Sequence, residues 1–406
     1  MNSERVVSHM RAADRTTAPL APSSGLSDSS GGAPAHPSPT RVCLLIGQLG
    51  LGGAEKQLVL LARGLSRRGI RTHLLVLFDG GPREAELQDS GVTLVKLGFW
   101  RRETRGSTLL GNVRAFVRLL VFLRKEKPQV LQAFLLHAYV LAAPAARLAR
   151  VPVLVAGRRS LGFFKRGHRV ALALERIATR WTDLVVANAQ AVAEDVRQDE
   201  GVPAGKLTVI PNGMPPSEFE LARPTEVDTS LPVVLCVANL AVHKGHRHLL
   251  AACAELRRQG KPCTLVLIGD GPERSVLERQ ATRLEVDARF LGFRTDGAGF
   301  LARADVVVLP SLYEGLSNAV MEAMAAGRPV VATAVGGTPE LLDDGRGVLV
   351  PPADPVALAE GLRSLLEDRD TAAAMGRRAR EWALANLSED VMVERYLSLY
   401  QRLLHG

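Results

Sequence analysis

Two glutamates, Glu314 and Glu322, stand eight positions apart in LPSLYEGLSNAVMEAMAAG (309–327). The apolar pattern predicts that a strand ends before Glu314 and that a helix carries Glu322. Free backbone N–H groups at such a helix N-terminus suit a diphosphate. Glu322 would then reach the vicinal hydroxyls of a ribose, and Glu314 a sugar beyond the phosphates. An equally good interpretation is that Glu322 only complements the helix dipole.

A second candidate anion site lies near the N-terminus, in GQLGLGGAE (47–55). This glycine-rich loop leaves a predicted strand and enters a predicted helix, where N–H groups favour an anion. It is not the dinucleotide fingerprint, because the third glycine would fall at Glu55, and no GK[ST] follows as in a P-loop. The loop is therefore either a phosphate contact or a tight turn.

A third group is VANLAVHKGHRH (237–248), in which Lys244 follows a strand and precedes a helix. An ammonium group there can neutralise a diphosphate, although a single loop lysine is also common on a solvated surface. The neighbouring histidines, His243, His246 and His248, lack carboxylates at metal-binding spacing. They are predicted to lie on a solvated loop and helix surface.

The elements that must position these residues are strands and helices in alternation. Continuous apolar runs such as VCLLI (42–46), VLQAF (130–134) and DVVVLPS (305–311) are typical of strands buried on both faces of a parallel sheet. The alternation stops in the proline-rich segment 211–232 and then restarts. The sequence therefore predicts an α/β protein with two tandem doubly wound domains and a ligand cleft between them.

The predicted organisation has five parts. Residues 1–40, rich in Ser, Pro, Ala and Gly, form a disordered tail with no assigned function. Residues 41–213 form the first domain, 214–230 a linker, and 231–388 the second domain. A further helix is predicted near 389–404.

Composition excludes several classes of protein. Of 406 residues, 47% are hydrophobic and 23% charged, as in ordinary globular domains. The four cysteines form no CxxC pair, which excludes a zinc ribbon and a disulfide scaffold. There is no apolar signal segment and no run long enough to span a membrane, so a cytoplasmic or peripheral protein is expected.

Positive charge is concentrated in residues 96–180, which hold 18 Lys and Arg against three Glu, a net +15 in a chain of net +9. This region predicts an anionic partner, such as acidic lipid headgroups or a lipid-phosphate acceptor, or else a merely solvated surface. Nucleic acid is not expected, because aromatic residues are only 4% and no recognition motif is present. The segment FVRLLVFLRKEK (116–127) is either an apolar and basic membrane contact or a core-facing helix.

Taken in order, several short motifs resemble one family. Residues 41–406 are similar to a family 4 retaining glycosyltransferase (glycosyltransferase group 1) of the GT-B fold, in which two Rossmann-like domains face a cleft. The motifs that carry the resemblance are GGAE (52–55), VIPNG (209–213), VANLAVHKG (237–245), LIGDGPE (267–273), FLGF (290–293), the Glu314–Glu322 pair and AVGGTPELL (334–342).

The resemblance implies that residues 41–213 bind the acceptor, that residues 231–388 bind the nucleotide sugar, and that the helix near 389–404 crosses back onto the first domain. It also implies a role for each matching position. Glu322 binds the ribose, Glu314 lies against the donor sugar, and Lys244 stabilises the departing diphosphate. His137 either faces the donor sugar or is a helix-start or core residue. The remaining expected donor contacts are Gly315, Leu316, Ser317 and Asn318 around the phosphates, Gly53 approaching them from the other domain, and Gly269, Gly271 and Phe293 around the base.

One position departs from the family pattern. Many relatives have an arginine five residues before the lysine, and here that donor-binding position is Asn239. We expect another cation, Arg158 or Arg159, to compensate for the lost charge.

The implied reaction transfers a sugar from a UDP- or GDP-sugar to a hydroxyl acceptor, in lipid-linked or surface polysaccharide or glycolipid biosynthesis. No cofactor and no metal are expected, because the DxD at Asp368–Asp370 lies in a helical stretch far from the other motifs. The expected location is the cytoplasm, either free or peripheral on the inner face of the cytoplasmic membrane. Two alternatives share the fold: a sugar-nucleotide epimerase and a non-catalytic sugar-nucleotide-binding subunit.

Overall fold

The computed structural model describes residues 38–78, 80–99, 108–161 and 169–405. Most of the predicted tail, part of the basic region at 100–107 and 162–168, and the last residue lie outside the described residues. Two parallel β-sheets, each covered by helices on both faces, organise the rest. We call the seven-stranded sheet with its helices the first lobe and the six-stranded sheet with its helices the second lobe.

The first lobe contains strands whose side chains are mostly buried, as the continuous apolar runs predict. Their order in the sheet is β3-β2-β1-β4-β5-β6-β7, all parallel. The strands are β1 (Arg41–Ile46), β2 (Arg71–Val76), β3 (Thr93–Lys96), β4 (Val130–Phe134), β5 (Val153–Arg158), β6 (Leu184–Ala187) and β7 (Leu207–Val209).

Helices cover both faces of this sheet. Helix α1 packs on one face together with the last helix of the chain, while α2, α3 and α4 pack side by side on the other. The helices that connect these strands are α1 (Gly53–Arg67), α2 (Thr108–Glu126), α3 (Leu136–Ala149), α4 (Arg169–Trp181) and α5 (Gln190–Glu200). In the described part of the chain, no helix combines the length and the apolar character that a membrane span requires.

The second lobe repeats the plan, with the strand order β10-β9-β8-β11-β12-β13. Its strands are β8 (Val233–Val237), β9 (Thr264–Ile268), β10 (Ala288–Gly292), β11 (Val306–Leu309), β12 (Val330–Thr333) and β13 (Val348–Val350). Its helices are α6 (His246–Arg258), α7 (Arg274–Arg283), α8 (Gly297–Arg303), α9 (Asn318–Ala325), α10 (Thr338–Leu342), α11 (Pro355–Glu367) and α12 (Arg369–Asn386).

The chain crosses between the lobes at two places that lie side by side. The backbone N–H of Met214 donates to Leu387 O (2.8 Å), and the N–H of Glu389 donates to Met214 O (2.8 Å). Beyond this bridge, helix α13 (Glu389–His405) packs on α1 of the first lobe and buries Tyr396 and Tyr400 there. The segment between the lobes is ordered and forms a short 3₁₀ turn at Pro216–Phe219, whose Phe219 is buried.

The predicted fold class is confirmed, including two doubly wound parallel sheets. One helix, α8, lies where the sequence pattern predicts none, between β10 and β11. Its sequence GAGFLAR has two glycines, which disfavour helix, yet Phe300 and Leu301 bury against the second sheet. Tertiary packing thus overrides a weak local preference.

Candidate active site

A cavity of about 270 Å³ lies between the lobes, at the carboxyl ends of strands of both sheets. This is the position that a doubly wound architecture predicts for a ligand. Several of the candidate residues line it. The lining residues are Gly53, Ala54, Arg159, Asn188 and Asn212 from the first lobe and its exit, and Val237, Lys244, Leu309, Glu314, Leu316, Ser317, Asn318 and Ala319 from the second.

Lys244 and Glu314 form an ion pair in this cavity. Lys244 Nζ lies 2.5 Å from Glu314 Oε1, and Ser311 Oγ donates to the same oxygen at 2.7 Å. Gly245 allows this arrangement, because at its φ of +70° a Cβ would lie 1.9 Å from Pro310 O. The pair presents an ammonium group to the cavity and holds a carboxylate beside it.

The loop between Glu314 and α9 offers backbone donors to the cavity. In the described part of the chain, the N–H groups of Gly315, Leu316 and Ser317 donate to no other protein atom. Ser317 is the N-cap residue of α9, since its Oγ accepts the N–H of Val320 at 3.4 Å. Helix α9 is therefore oriented with its positive end toward the cavity, which favours an anion there.

Gly336 packs against the backbone of this loop. Its φ is +53°, and a Cβ at this position would lie 2.0 Å from Glu314 O. The next residue donates its N–H to Gly315 O at 2.7 Å. The AVGGTPELL motif thus fixes the position of the loop that carries Glu314.

The two lobes meet at Asn318. A Cβ on Gly53 would lie 2.7 Å from Asn318 Nδ2, so a larger residue at this approach of α1 to α9 would displace the Asn318 side chain. Asn212 Nδ2 donates to Asn318 Oδ1 at 2.8 Å. Asn212 Oδ1 in turn accepts from Arg159 at 2.6 Å. The first lobe therefore contacts the candidate phosphate loop directly.

Of the two arginines expected to compensate for Asn239, only Arg159 lines the cavity. Its buried guanidinium donates to Asn212 and to Tyr396 Oη (2.7 Å) and stacks over Phe134. Among the described residues it pairs with no carboxylate, whereas Arg158 is buried against Glu200 (2.8 Å). Arg158 is thus neutralised away from the cavity, and Arg159 remains an available positive charge.

Glu322 has a partner that sequence reasoning did not find. Its Oε1 accepts from Lys56 Nζ of α1 at 2.7 Å, and the same ammonium contacts Glu218 Oε1 at 2.9 Å. Burial raises the pKa of Glu322, and the charge of Lys56 opposes that shift. Burial lowers the pKa of Lys56, but the two carboxylates outweigh it and raise that pKa overall. Glu322 therefore does more than complement the dipole of α9.

Four predicted donor contacts lie outside the cavity, at the ends of β8, β9 and β10. Asn239 is exposed after β8, and Phe293 is 62% exposed after β10. Gly269 and Gly271 pack against the backbone carbonyls of residues 238 and 240, where a Cβ would clash. These residues form a rim beside the cavity and do not line it.

The histidines are placed in three different ways. His137 is exposed at the start of α3, where its ring meets the edge of Phe78 (centroids 6.2 Å apart), and it does not line the cavity. The predicted solvated position of His246 is wrong, because this first residue of α6 is buried, and its burial lowers the pKa of the imidazole to about 4. His243 stacks on Tyr313. No group of three metal-ligating side chains occurs among the described residues.

Two known protein families match this chain. Residues 51–218 match the profile of glycosyltransferase family 4, and residues 231–368 match that of the glycosyl transferases group 1. The chain is a group 1 glycosyltransferase. The two matches cover the strands and helices that carry the cavity in both lobes.

Individual relatives of this glycosyltransferase agree over most of its length. It is 28% identical to the 2-deoxystreptamine glucosyltransferase of Streptomyces kanamyceticus over 387 residues, covering 86% of this chain and 99% of that enzyme. It is 28% identical to the lipopolysaccharide core biosynthesis glycosyltransferase LpsE of Rhizobium meliloti, covering 86% and 95%. The crystal structure of Anabaena Alr3699/HepE in complex with UDP-glucose matches with a TM-score of 0.76 and 25% identity, covering 89% of this chain and 99% of that one.

Proposed function

We propose that this glycosyltransferase transfers a sugar from a nucleoside-diphosphate sugar to an acceptor hydroxyl and retains the anomeric configuration. One observation carries the proposal. The ammonium group of Lys244, the free N–H groups of residues 315–317 and the carboxylate of Glu314 all open onto a single cavity between the lobes. Such donors suit a diphosphate, and a carboxylate beside them suits the hydroxyls of the attached sugar.

In the proposed reaction, the bond between the sugar C1 and the β-phosphate oxygen breaks. The acceptor oxygen forms a new bond to C1 on the same face, and its proton passes to the leaving phosphate. Lys244, the N–H groups and Arg159 stabilise the negative charge that develops on the diphosphate. We propose that the lobes, which approach each other at Gly53 and Asn318, exclude water that would otherwise consume the donor.

The donor class has further support. The matched Alr3699/HepE structure is described as a complex with UDP-glucose, so UDP-sugars are the first donors to test, followed by GDP-sugars. Glu322 would bind the ribose and the rim residues Gly269, Gly271 and Phe293 the base. We propose that no metal ion is needed, because the cavity already supplies an ammonium group and backbone donors for the diphosphate.

We place the acceptor on or near a membrane. Exposed apolar side chains follow one side of α2 (Leu110, Val113, Val117 and Val121) and of α4 (Leu174, Ile177 and Trp181). The same two helices also carry exposed Arg and Lys side chains, at Arg114, Arg124, Lys125, Arg176 and Arg180. We call this surface the apolar–basic face. It combines apolar and cationic contacts, as peripheral proteins on anionic lipid do, and it supports a lipid-linked or cell-surface glycan acceptor at the cytoplasmic side.

Thermal unfolding with UDP, GDP, ADP and their glucose and mannose conjugates, with and without EDTA, tests the donor class. A ligand at 100 times its Kd adds about 2.7 kcal/mol to stability, which is a clear shift. We expect a base-selective shift that EDTA leaves unchanged. No shift with any nucleotide would contradict the proposal, and a shift that EDTA abolishes would contradict its metal-free form.

Products then test the chemistry. With the selected donor and a lipid-linked acceptor, we expect a glycosylated acceptor whose anomeric configuration, read by proton NMR, matches that of the donor. An inverted product would contradict retention. A changed sugar nucleotide without any acceptor would indicate an epimerase instead.

A further inference from the structure

Lys56 connects three separate parts of the chain. It lies on α1 of the first lobe, Glu322 lies on α9 of the second, and Glu218 lies in the segment between them. One ammonium group contacts both carboxylates, at 2.7 Å and 2.9 Å. The three side chains are only 17%, 21% and 24% exposed, so water screens these contacts weakly. They hold the lobes together beside the cavity.

Glu322 is bound to Lys56 through one oxygen only. Oε1 accepts from the ammonium group, and among the described residues Oε2 has no hydrogen-bond partner. A carboxylate held in this way can still accept hydroxyl hydrogen bonds through its second oxygen. The other charged groups that face it are Glu218 and, at longer range, Arg83, so Lys56 is its one close cation in the described structure.

We propose that Lys56 is a positioning residue, which keeps Glu322 charged and oriented for the ribose hydroxyls of the donor. The inference rests on the proposed function, since it assumes that Glu322 binds the ribose. Because the ammonium group comes from the first lobe, ribose recognition depends on contact between the lobes. Lys56 itself stays away from the breaking bond, so its effect is on donor binding rather than on chemistry.

The test compares nucleotides that differ only in a ribose hydroxyl. Affinities of UDP, 2′-deoxy-UDP and 3′-deoxy-UDP, and of the matching GDP set, are measured by calorimetry for the wild type, K56M, K56R and E322Q. A hydrogen bond to a charged group is worth about 1.5–3 kcal/mol, which is about a tenfold to hundredfold change in affinity. We expect K56M to lose about tenfold for UDP but little for the deoxynucleotide whose missing hydroxyl Glu322 recognises. K56R should restore much of the loss.

Two further readouts separate positioning from simple stability. K56M should raise the KM for the donor and leave kcat nearly unchanged. The double variant K56M/E322Q should be no worse than E322Q, because the two residues act on the same hydroxyls. The matched control is K261M, since Lys261 forms an exposed ion pair with Glu367 on the second lobe (3.0 Å) and touches neither the cavity nor α1.

The possible failures are distinguishable. Equal losses for UDP and its deoxy forms in K56M would overturn the inference, because Lys56 would then be merely structural. In a second outcome, the wild type binds UDP and discriminates against a deoxynucleotide, and K56M does the same. That result would overturn the inference and leave the proposed function standing. A wild type that binds no nucleoside diphosphate would overturn both the inference and the proposed function.

Discussion

At the scale of single residues, Lys244 carries a positive charge that Glu314 already neutralises at 2.5 Å. An arriving diphosphate must therefore share the ammonium group with a carboxylate. Removing the lysine would leave Glu314 as an unpaired negative charge next to the phosphates. The loss then combines a missing attraction with a new repulsion.

We predict that K244Q lowers kcat by about 100- to 1,000-fold, as the loss of one preorganised donor to a developing negative charge typically does. Steady-state kinetics with the selected donor measure this loss. R247Q is the matched control, because Arg247 is three residues away, half-exposed and paired with Glu273 outside the cavity. A drop of similar size in R247Q would mean that the loss reflects local folding.

A pH prediction follows from Glu322. Burial raises the pKa of this carboxyl group, and Lys56 opposes the shift without cancelling it. Only the ionised form accepts two hydroxyl hydrogen bonds, so UDP affinity should fall as the pH drops through a range above that of an ordinary glutamate. Calorimetry at a series of pH values should show this fall in UDP affinity at low pH for the wild type and not for E322Q. The UDP phosphates titrate equally in both experiments, so E322Q controls for that effect. An identical pH profile in both proteins would contradict the role of Glu322.

The positions of single residues were predictable where the local sequence determines them. The loop positions of Glu314 and Lys244 follow from their places after strands β11 and β8, and parallel strands bring such loops to one edge. Lys56 lies 266 residues from Glu322, and nothing in either segment specifies their contact. The one available signal was a lysine one turn into a helix that begins at a glycine-rich loop. Pairing across two lobes requires the folded chain.

At the scale of elements, one helix is capped from the other lobe. The N–H groups of Gln190 and Ala191 at the start of α5 donate to Glu340 of α10, at 2.9 and 3.0 Å. Burial raises the pKa of Glu340, and these two backbone donors oppose the shift. Glu340 belongs to the AVGGTPELL motif, so this motif supports the Glu314 loop on one side and binds the first lobe on the other.

We predict that E340A costs about 1 kcal/mol of stability, the usual value of an N-cap, and also weakens donor binding because the cap joins the lobes. Asp354 provides the comparison, since its carboxylate caps α11 within the second lobe by accepting from Val356 and Ala357 at 3.0 Å. D354A should lose similar stability and keep its donor affinity. Urea unfolding measures the stability of both variants, and UDP titration measures their donor affinity. Equal donor affinities of E340A and D354A would show that the Glu340 contact does not hold the lobes for binding.

Most elements were predictable because buried parallel strands are continuous apolar runs. The predicted strand 130–134 matches β4 residue for residue, and the predicted strand 42–46 lies within β1. The prediction failed where packing rather than local sequence decides, as in α8 and the 3₁₀ turn at Pro216–Phe219. The same limit hid the cap from Glu340.

At the scale of the whole molecule, the apolar–basic face lies on the side of the first sheet covered by α2, α3 and α4. The predicted segment 116–127 faces the core on one side and exposes apolar side chains on the other. Leu119 and Leu123 face the core, while Val117 and Val121 are 50% and 57% exposed. A helix of this kind can pack on its own sheet and still offer a second apolar strip to a membrane.

We predict that the protein floats with vesicles containing anionic lipid more than with neutral vesicles, and that V117D/V121D reduces this binding by several-fold. Apolar contact and positive charge both contribute to such binding, and the substitutions weaken both. L384D is the control, because Leu384 is an exposed apolar residue on the second lobe (44%) far from this face. Equal flotation on both vesicle types, or an equal loss in L384D, would contradict a membrane role for the face.

The return of α13 to the first lobe has a consequence for synthesis. Tyr396 and Tyr400 complete the core around α1, and both are fully buried. Chains generally fold from the N-terminus as they leave the ribosome, but here the residues that finish the first lobe emerge after the second lobe. The second lobe has nearly all of its core residues by Leu387 and can therefore be complete while the first still exposes the surface that α13 will cover. We therefore expect the order of maturation to be reversed relative to the order of translation, with the first lobe completed only when α13 is available.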